Sequence, residues 1–230
     1  MLWYKAWLET RWRFVFLTGL ILLVWLLPLW LPSHLAIPVS RQWFGLQLES
    51  ALLSVFAAIY LPGAGINTQT TYAATSGFHG SMLFTLSLPV SRRRLLFVRA
   101  GLGAILTCIL VIGMAVYVLF HRPEATSALQ ALSYIGGAVV CAMAVYSLSV
   151  FLACVLDELW QFMGACLVWA VVFVVESRFA VVARLSPIRG MILIPFSGEV
   201  PTQWAPVLTS LALTGVLLYA SLQMLQRKEY

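Results

Sequence analysis

The residues able to do chemistry are few and widely spaced. The two lysines, Lys5 and Lys228, stand outside any glycine-rich turn. A P-loop needs a lysine that reaches the β- and γ-phosphates, so the chain is not itself expected to be a Walker-type ATPase. His34, His79 and His121 lie far apart and form no HExxH pair, which leaves metalloprotease chemistry without its ligands. His79 and Ser81 sit close in GFHGS, but side chains two apart on a helix face away from one another, and no acid to orient the histidine is evident. Cys108, Cys141, Cys154 and Cys166 all lie in apolar stretches without metal-ligand or CxxC spacing, and read as small buried hydrophobes. Glu49, Glu124, Glu176 and Glu199 stand at or near the ends of apolar segments. Headgroups and water reach such positions, so they read as solvated interfacial charges rather than as an intramembrane proton or ion relay. Neither a catalytic residue nor a cofactor or metal site is expected, and the chain is not read as an enzyme.

The segments that carry these residues are those of a membrane protein. Of 230 residues, 62% are hydrophobic and 10% charged, and the mean hydropathy is +0.95. A soluble domain carries about a quarter charged residues and near half apolar ones, so a soluble globular enzyme is excluded, and so is a disordered chain. The net charge of +6 comes from basic residues clustered beside apolar runs, which points to anionic headgroups and topology rather than to nucleic acid. Stretches free of Asp, Glu, Lys and Arg run from Phe14 to Ser40, Ser50 to Ser91, Ala100 to His121, Ala125 to Leu156, Leu159 to Val175 and Val200 to Gln226. A helix crosses a bilayer in about 20 mainly apolar residues. The second run is longer, but INTQTTYAATSGFHGS in its middle is too polar for lipid and MLFTLSLPVS too short to cross, so it holds one span near Ser50 to Leu61, extended to Gly65. The fold expected is all-α and polytopic, a single transmembrane domain over residues 1–230 with six transmembrane helices.

Three further segments have their own character. Residues 1–13, with the phenylalanine that follows, are amphipathic: Trp3, Trp7 and Phe14 fall within about 40° on a helical wheel, with Lys5, Glu9 and Arg13 opposite, and Glu9 and Arg13 form an i,i+4 pair. This predicts an N-terminal interfacial helix lying at the membrane surface. The apolar core that follows is too long for a signal peptide and offers no small-residue cleavage site. Residues 176–204, extracytoplasmic, contain Pro187, Pro195 and Pro201 with Gly190 and Gly198. Breakers at that density predict either short re-entrant helices between the fifth and sixth spans or a surface loop. With six spans the termini share a side. Their side holds Lys5, Arg11, Arg13, Arg92, Arg93, Arg94, Arg99, Arg227 and Lys228, against Arg41, Arg122, Arg178, Arg184 and Arg189 on the other. Both termini are therefore placed in the cytoplasm of a cell inner or plasma membrane.

The third segment carries family information. GFHGSMLFTLSLPVSRRRLLFVRAGLG, residues 77 to 103, resembles the loop after the second span in the membrane subunits of ATP-binding-cassette (ABC) transporters of the type-2 exporter permease family. That loop reads as a Gly-Ser or Gly-Thr start, an apolar stretch, then LPVSR with further basic residues; here Gly80, Ser81, Leu83 to Leu88, Pro89, Val90, Ser91 and Arg92. The six-span plan, the interfacial helix, the broken fifth-to-sixth connection and the basic tail QRKEY are similar as well. The uncharged TQTTYAATSGFH departs from relatives, which often carry acidic residues before the Gly-Ser pair. The resemblance implies a permease subunit forming half of an export pathway, lined by parts of the second and fifth spans. It also implies a cytoplasmic ABC ATPase subunit and a second permease, identical or related, as partners beside membrane lipids. Ser54, Gly63, Gly65 and Gly164 are candidates for positions near that pathway, or plain helix-packing residues. Within a coupling segment at residues 76–94, Phe78, Gly80, Ser81, Phe84, Leu86, Leu88 and Pro89 are the expected ATPase contacts. Phe78 with Met82 and Phe84 with Leu88 pair at i,i+4, and an apolar-faced helix can insert into a groove on a partner, with Pro89 ending it. Arg92, Arg93, Arg94 and Arg99 are the expected basic anchor. A non-transporting scaffold or sensor subunit is the alternative.

Overall fold

A computed structural model describes residues 2–30, 39–62, 92–121, 127–156, 158–192 and 204–227. Among them the chain is all-helical, with no strand. The helices are α1 (Leu2–Trp30), α2 (Val39–Tyr60), α3 (Arg92–Phe120), α4 (Ala128–Val155), α5 (Glu158–Arg178), α6 (Ala180–Leu185), α7 (Pro187–Ile192) and α8 (Trp204–Arg227). Four of these contain stretches long and apolar enough to cross a membrane: Phe97–Phe120, Ala128–Val155, Leu159–Arg178 and Trp204–Met224. The protein is thus a multi-pass membrane protein. The apolar part of α2, Gly45–Tyr60, is shorter. The amphipathic start and the apolar run after it form one uninterrupted helix, α1, with no break near residue 13. On its surface Trp7 and Phe14 meet with ring centroids 6.3 Å apart, as their shared helical face predicts.

α4 is the hub, in contact with α2, α3, α5, α7 and α8. Its sequence suits that place. Ala138, Cys141, Ala142, Ala144, Ser147, Ser149, Ala153 and Cys154 are all buried, and such small side chains let neighbouring backbones approach closely where lipid supplies no hydrophobic drive between helices. Its start is a capping box: the Ser127 hydroxyl accepts from the Gln130 amide at 3.3 Å, and Gln130 Oε1 accepts from the Ser127 amide at 3.2 Å. One continuous core joins Leu17 and Ile21 of α1, Val55 and Ala58 of α2, Leu110 and Met114 of α3, Val145 and Val150 of α4, Trp169 of α5, and Ile188 and Met191 of α7.

Two glycines mark the closest approaches. A Cβ at Gly103 would lie 2.5 Å from the Tyr146 hydroxyl, which instead donates across the α3–α4 seam to the Ala100 carbonyl at 2.6 Å. A Cβ at Gly190 would lie 2.5 Å from Cys141 Sγ and 3.2 Å from Pro206, so only glycine lets α7 sit between α4 and α8. The breaks at 179 and 186 arise locally. Phe179 and Ser186 are extended, the Ser186 hydroxyl accepts from the Ile188 amide at 3.2 Å, and Pro187 follows as the first helical residue, a favoured start. Two six-residue helices therefore stand where the sequence indicated a broken connection, and residues 193–203 lie outside the described residues.

The helices alternate in direction. Toward one end of the bundle Arg13 bonds Tyr60, Gln161 bonds Ile59 and, across α3 and α4, Tyr146 bonds Ala100. At the other end Trp25 stacks on Tyr117 at 4.2 Å, and the Tyr134 hydroxyl donates to the Met191 carbonyl at 3.3 Å. Outward-facing residues on α5 and α8, among them Leu167, Val171, Phe173, Leu208, Leu211 and Val216, are large, apolar and exposed. That surface is what lipid requires and water does not tolerate at such extent.

Candidate functional site

The last turn of α2 is held from two sides. A helix end leaves its final carbonyls without intrahelical donors, and at membrane depth each must find a partner within the protein. The Ala57 carbonyl accepts from the Leu61 amide at 3.1 Å. The Ile59 carbonyl accepts from Gln161 Nε2, at the start of α5, at 3.2 Å, and the Tyr60 carbonyl accepts from Arg13 Nη1, on α1, at 3.3 Å. Gln161 is buried. A guanidinium at a helix C-terminus also meets the negative end of the helix dipole.

Aromatic rings build the wall around these bonds. The Arg13 guanidinium lies 5.4 Å from the Tyr60 ring centre, within cation–π range. Tyr60 touches Phe16 of α1 at 6.1 Å, stacks with Phe56 at 5.8 Å and meets Phe162 of α5 edge-on at 6.2 Å. Phe56 and Phe162 also meet edge-on at 5.9 Å. Three helices are thus tied to one turn, and the chain leaves that turn through Leu61 and Pro62, both buried. A displacement imposed on the stretch after Pro62 acts first on this clamp.

The stretch itself, residues 63–91, lies outside the described residues. So do the expected contacts Phe78, Gly80, Ser81, Phe84, Leu86, Leu88 and Pro89, together with Gly63, Gly65, His79, Glu124 and Glu199. The backbone of Arg92 and Arg93 forms the first turn of α3, and nothing is described of their side chains. Arg94 is exposed and Arg99 buried, so the four arginines do not share one environment. Ser54 is buried and donates to the Ser50 carbonyl at 2.7 Å and to Met114 Sδ at 3.8 Å. Gly164 approaches Leu156 and Leu152 at ordinary contact distances. Both therefore pack between helices. None of the four cysteines is joined in a disulfide, and Cys141 and Cys154 are buried.

Two readings of the sequence need correction. Arg13 is more than a charge on the outer face of an amphipathic helix, because α1 turns it onto Tyr60. Glu176 is not solvated: it is 8% exposed, and its Oε1 has no hydrogen-bond partner, where α6 folds back against the end of α5. Glu49, by contrast, is exposed as its position predicts. The clamp residues Tyr60 and Gln161 carried one usable signal, a long polar side chain and an aromatic at the ends of apolar runs, but nothing in the spacing paired Gln161 with Ile59 across 102 residues. Comparison with protein families, with curated proteins and with solved structures finds nothing that matches this chain.

Proposed function

We propose that the chain is the permease subunit of an ABC exporter, forming half of a translocation pathway and driven by a separate cytoplasmic ATPase subunit. The observation that carries this reading is the position of the GFHGSMLFTLSLPVSRRR motif. It occupies the one long connection between α2 and α3, leaving from the clamped turn at Tyr60 and returning at the arginine-rich start of α3. A partner that grips the motif acts on α2 where α2 is tied to α1 and α5. ATP binding would then shift α2, α1 and α5 together rather than unwind a single helix.

In this reading α1 and α2 are the first two of six spans. At 29 and 22 residues they are about 43 and 33 Å long, against a bilayer core of about 30 Å. The end of the bundle that holds Arg11, Arg13, Arg94 and Arg99 faces the cytoplasm, and the end that holds Arg178, Arg184 and Arg189 faces away. Residues 193–203 complete the broken extracytoplasmic connection. Phe78, Gly80, Ser81, Phe84, Leu86, Leu88 and Pro89 meet the ATPase, Arg92, Arg93, Arg94 and Arg99 anchor the segment at headgroups, and a second permease, identical or related, completes the pathway.

The test is purification of the tagged chain from its native membrane in mild detergent. Recovery of an ATPase subunit with it, and ATP hydrolysis by the complex but not by the isolated chain, is the expected result. Stoichiometric nucleotide binding by the isolated chain, or its recovery alone under conditions that preserve other membrane complexes, overturns the proposal.

A further inference from the structure

Two arginines of α1 stand two residues apart and point opposite ways. Arg13 turns inward to the Tyr60 carbonyl. Arg11, about 160° away around the helix, is exposed, and its guanidinium lies 5.5 Å from the ring centre of Trp12. Among the described residues its N–H donors meet no acceptor and no carboxylate. Arg11 heads an apolar face: with Val15, Gly19, Leu22 and Leu26 it falls within about 80° on the helix, and Trp12 stands at the edge of that arc. Val15, Leu22 and Leu26 are all exposed. So is Gly19, where an added Cβ would meet nothing within 4 Å, which leaves a notch in the middle of the face.

The clamp sets the height of this face. Arg13 and Gln161 hold successive carbonyls of one turn of α2, so their chain neighbours Trp12 and Trp160 stand at one level. Both are exposed, at 65% and 66%, on different helices. Indole rings settle at the membrane–water interface, which puts headgroups at this level and acyl chains beside the residues that follow Trp12. From Val15 to Leu26 is about 17 Å, close to the depth of one leaflet of a bilayer core about 30 Å thick. Helical side chains lean toward the helix N-terminus, and a long basic one carries its charge to the interface. The Arg11 guanidinium is thus directed out of the hydrocarbon, to the level of the phosphates.

We propose that Arg11, Trp12 and the outward face of α1 from Val15 to Leu26 bind an anionic phospholipid. The guanidinium takes the phosphate in its fork of donors, the indole N–H takes an ester carbonyl oxygen, and one acyl chain lies in the notch at Gly19. A zwitterionic phospholipid brings the same phosphate with its own cation beside it, so it binds less well. A lipid fits this face better than a protein segment does: one cation stands at one end only, and the apolar length below it is that of a single leaflet. The site rests on the reading of α1 as a membrane span and needs no ATPase.

The test places the purified full chain in phosphatidylcholine nanodiscs with a photoactivatable lipid, a diazirine in the middle of one acyl chain. The headgroup is phosphatidylglycerol in one sample and phosphatidylcholine in the other, and labelled residues are mapped by mass spectrometry. The expected result is labelling of α1 between Val15 and Leu26, about fivefold stronger with phosphatidylglycerol. Arg11→Gln brings the two lipids to equal labelling, Arg11→Lys keeps most of the preference, and Gly19→Leu lowers labelling of α1. Arg184→Gln on α6 changes none of this. Each variant is first shown to elute as the wild type does on size exclusion. Equal labelling by the two lipids in the wild type, or an unchanged preference in Arg11→Gln, overturns the proposal. So does a disulfide between two copies of a Gly19→Cys chain whose four native cysteines are alanine, since the face then belongs to a second copy. Reaction of the Gly19→Cys thiol with a membrane-impermeant maleimide, without labelling by either lipid, overturns the membrane-span reading of α1 as well. Labelling by both lipids without preference removes this site alone.

Discussion

Replacing Arg13 by Met keeps the bulk and removes the charge that holds the last turn of α2. The Tyr60 carbonyl loses a bond from an ionised donor. Such bonds contribute about 1.5–3 kcal/mol, and at 3.3 Å this one belongs at the lower end. The guanidinium over the Tyr60 ring, at a partly buried position, adds about 0.5 kcal/mol or more. Together they give about 2 kcal/mol, or roughly a 30-fold rise in the opening equilibrium of that turn at 1.4 kcal/mol per tenfold. Gln161→Leu strands the buried Ile59 carbonyl, which costs about 1–3 kcal/mol. Because the two bonds hold successive carbonyls of one turn, fraying caused by either change already forfeits part of the other. The double variant therefore falls short of additivity by about 0.5 kcal/mol or more. The assay is hydrogen–deuterium exchange of the peptide spanning Ala57 to Pro62, where the Leu61 amide bonds the Ala57 carbonyl, with a peptide from the middle of α4 as internal reference. Wild-type exchange at Leu61 in both single variants, or acceleration shared equally by α4, refutes the clamp. Strict additivity refutes the claim that α1 and α5 act on one unit.

Gly103→Ala is expected to lower the melting temperature, because the new methyl meets the Tyr146 hydroxyl at 2.5 Å and overpacking costs about 1–3 kcal/mol; adding Tyr146→Phe removes the clash and recovers part of the loss. Ser127→Ala removes the capping box of α4 and is expected to cost about 1 kcal/mol, read by thermal unfolding of the purified chain. In the proposed coupling segment, Phe84→Ala and Leu86→Asp should weaken ATPase recovery and transport at matched membrane levels, by over tenfold in affinity if a buried anchor contributes about 2 kcal/mol. Arg93→Ala should do less; wild-type recovery with the Phe84 and Leu86 variants, and loss with Arg93→Ala, would make the arginines the contact.

What was legible in the sequence is whatever depends on composition along one helix. The four apolar stretches of α3, α4, α5 and α8 follow from runs without charge, and the breaks at Phe179 and Ser186 fall in the segment where proline density announced them. The shared face of Trp7 and Phe14 follows from helical periodicity alone. What depends on contact between distant segments was not legible. Arg13 has the same sequence neighbourhood whether it meets headgroups or Tyr60, and only the direction in which α1 continues decides between them. Glu176 stands at the end of an apolar run, which ordinarily means water; it is buried where α6, after the break at Phe179, folds back against the end of α5, and the residues beside Glu176 in the sequence do not announce that return.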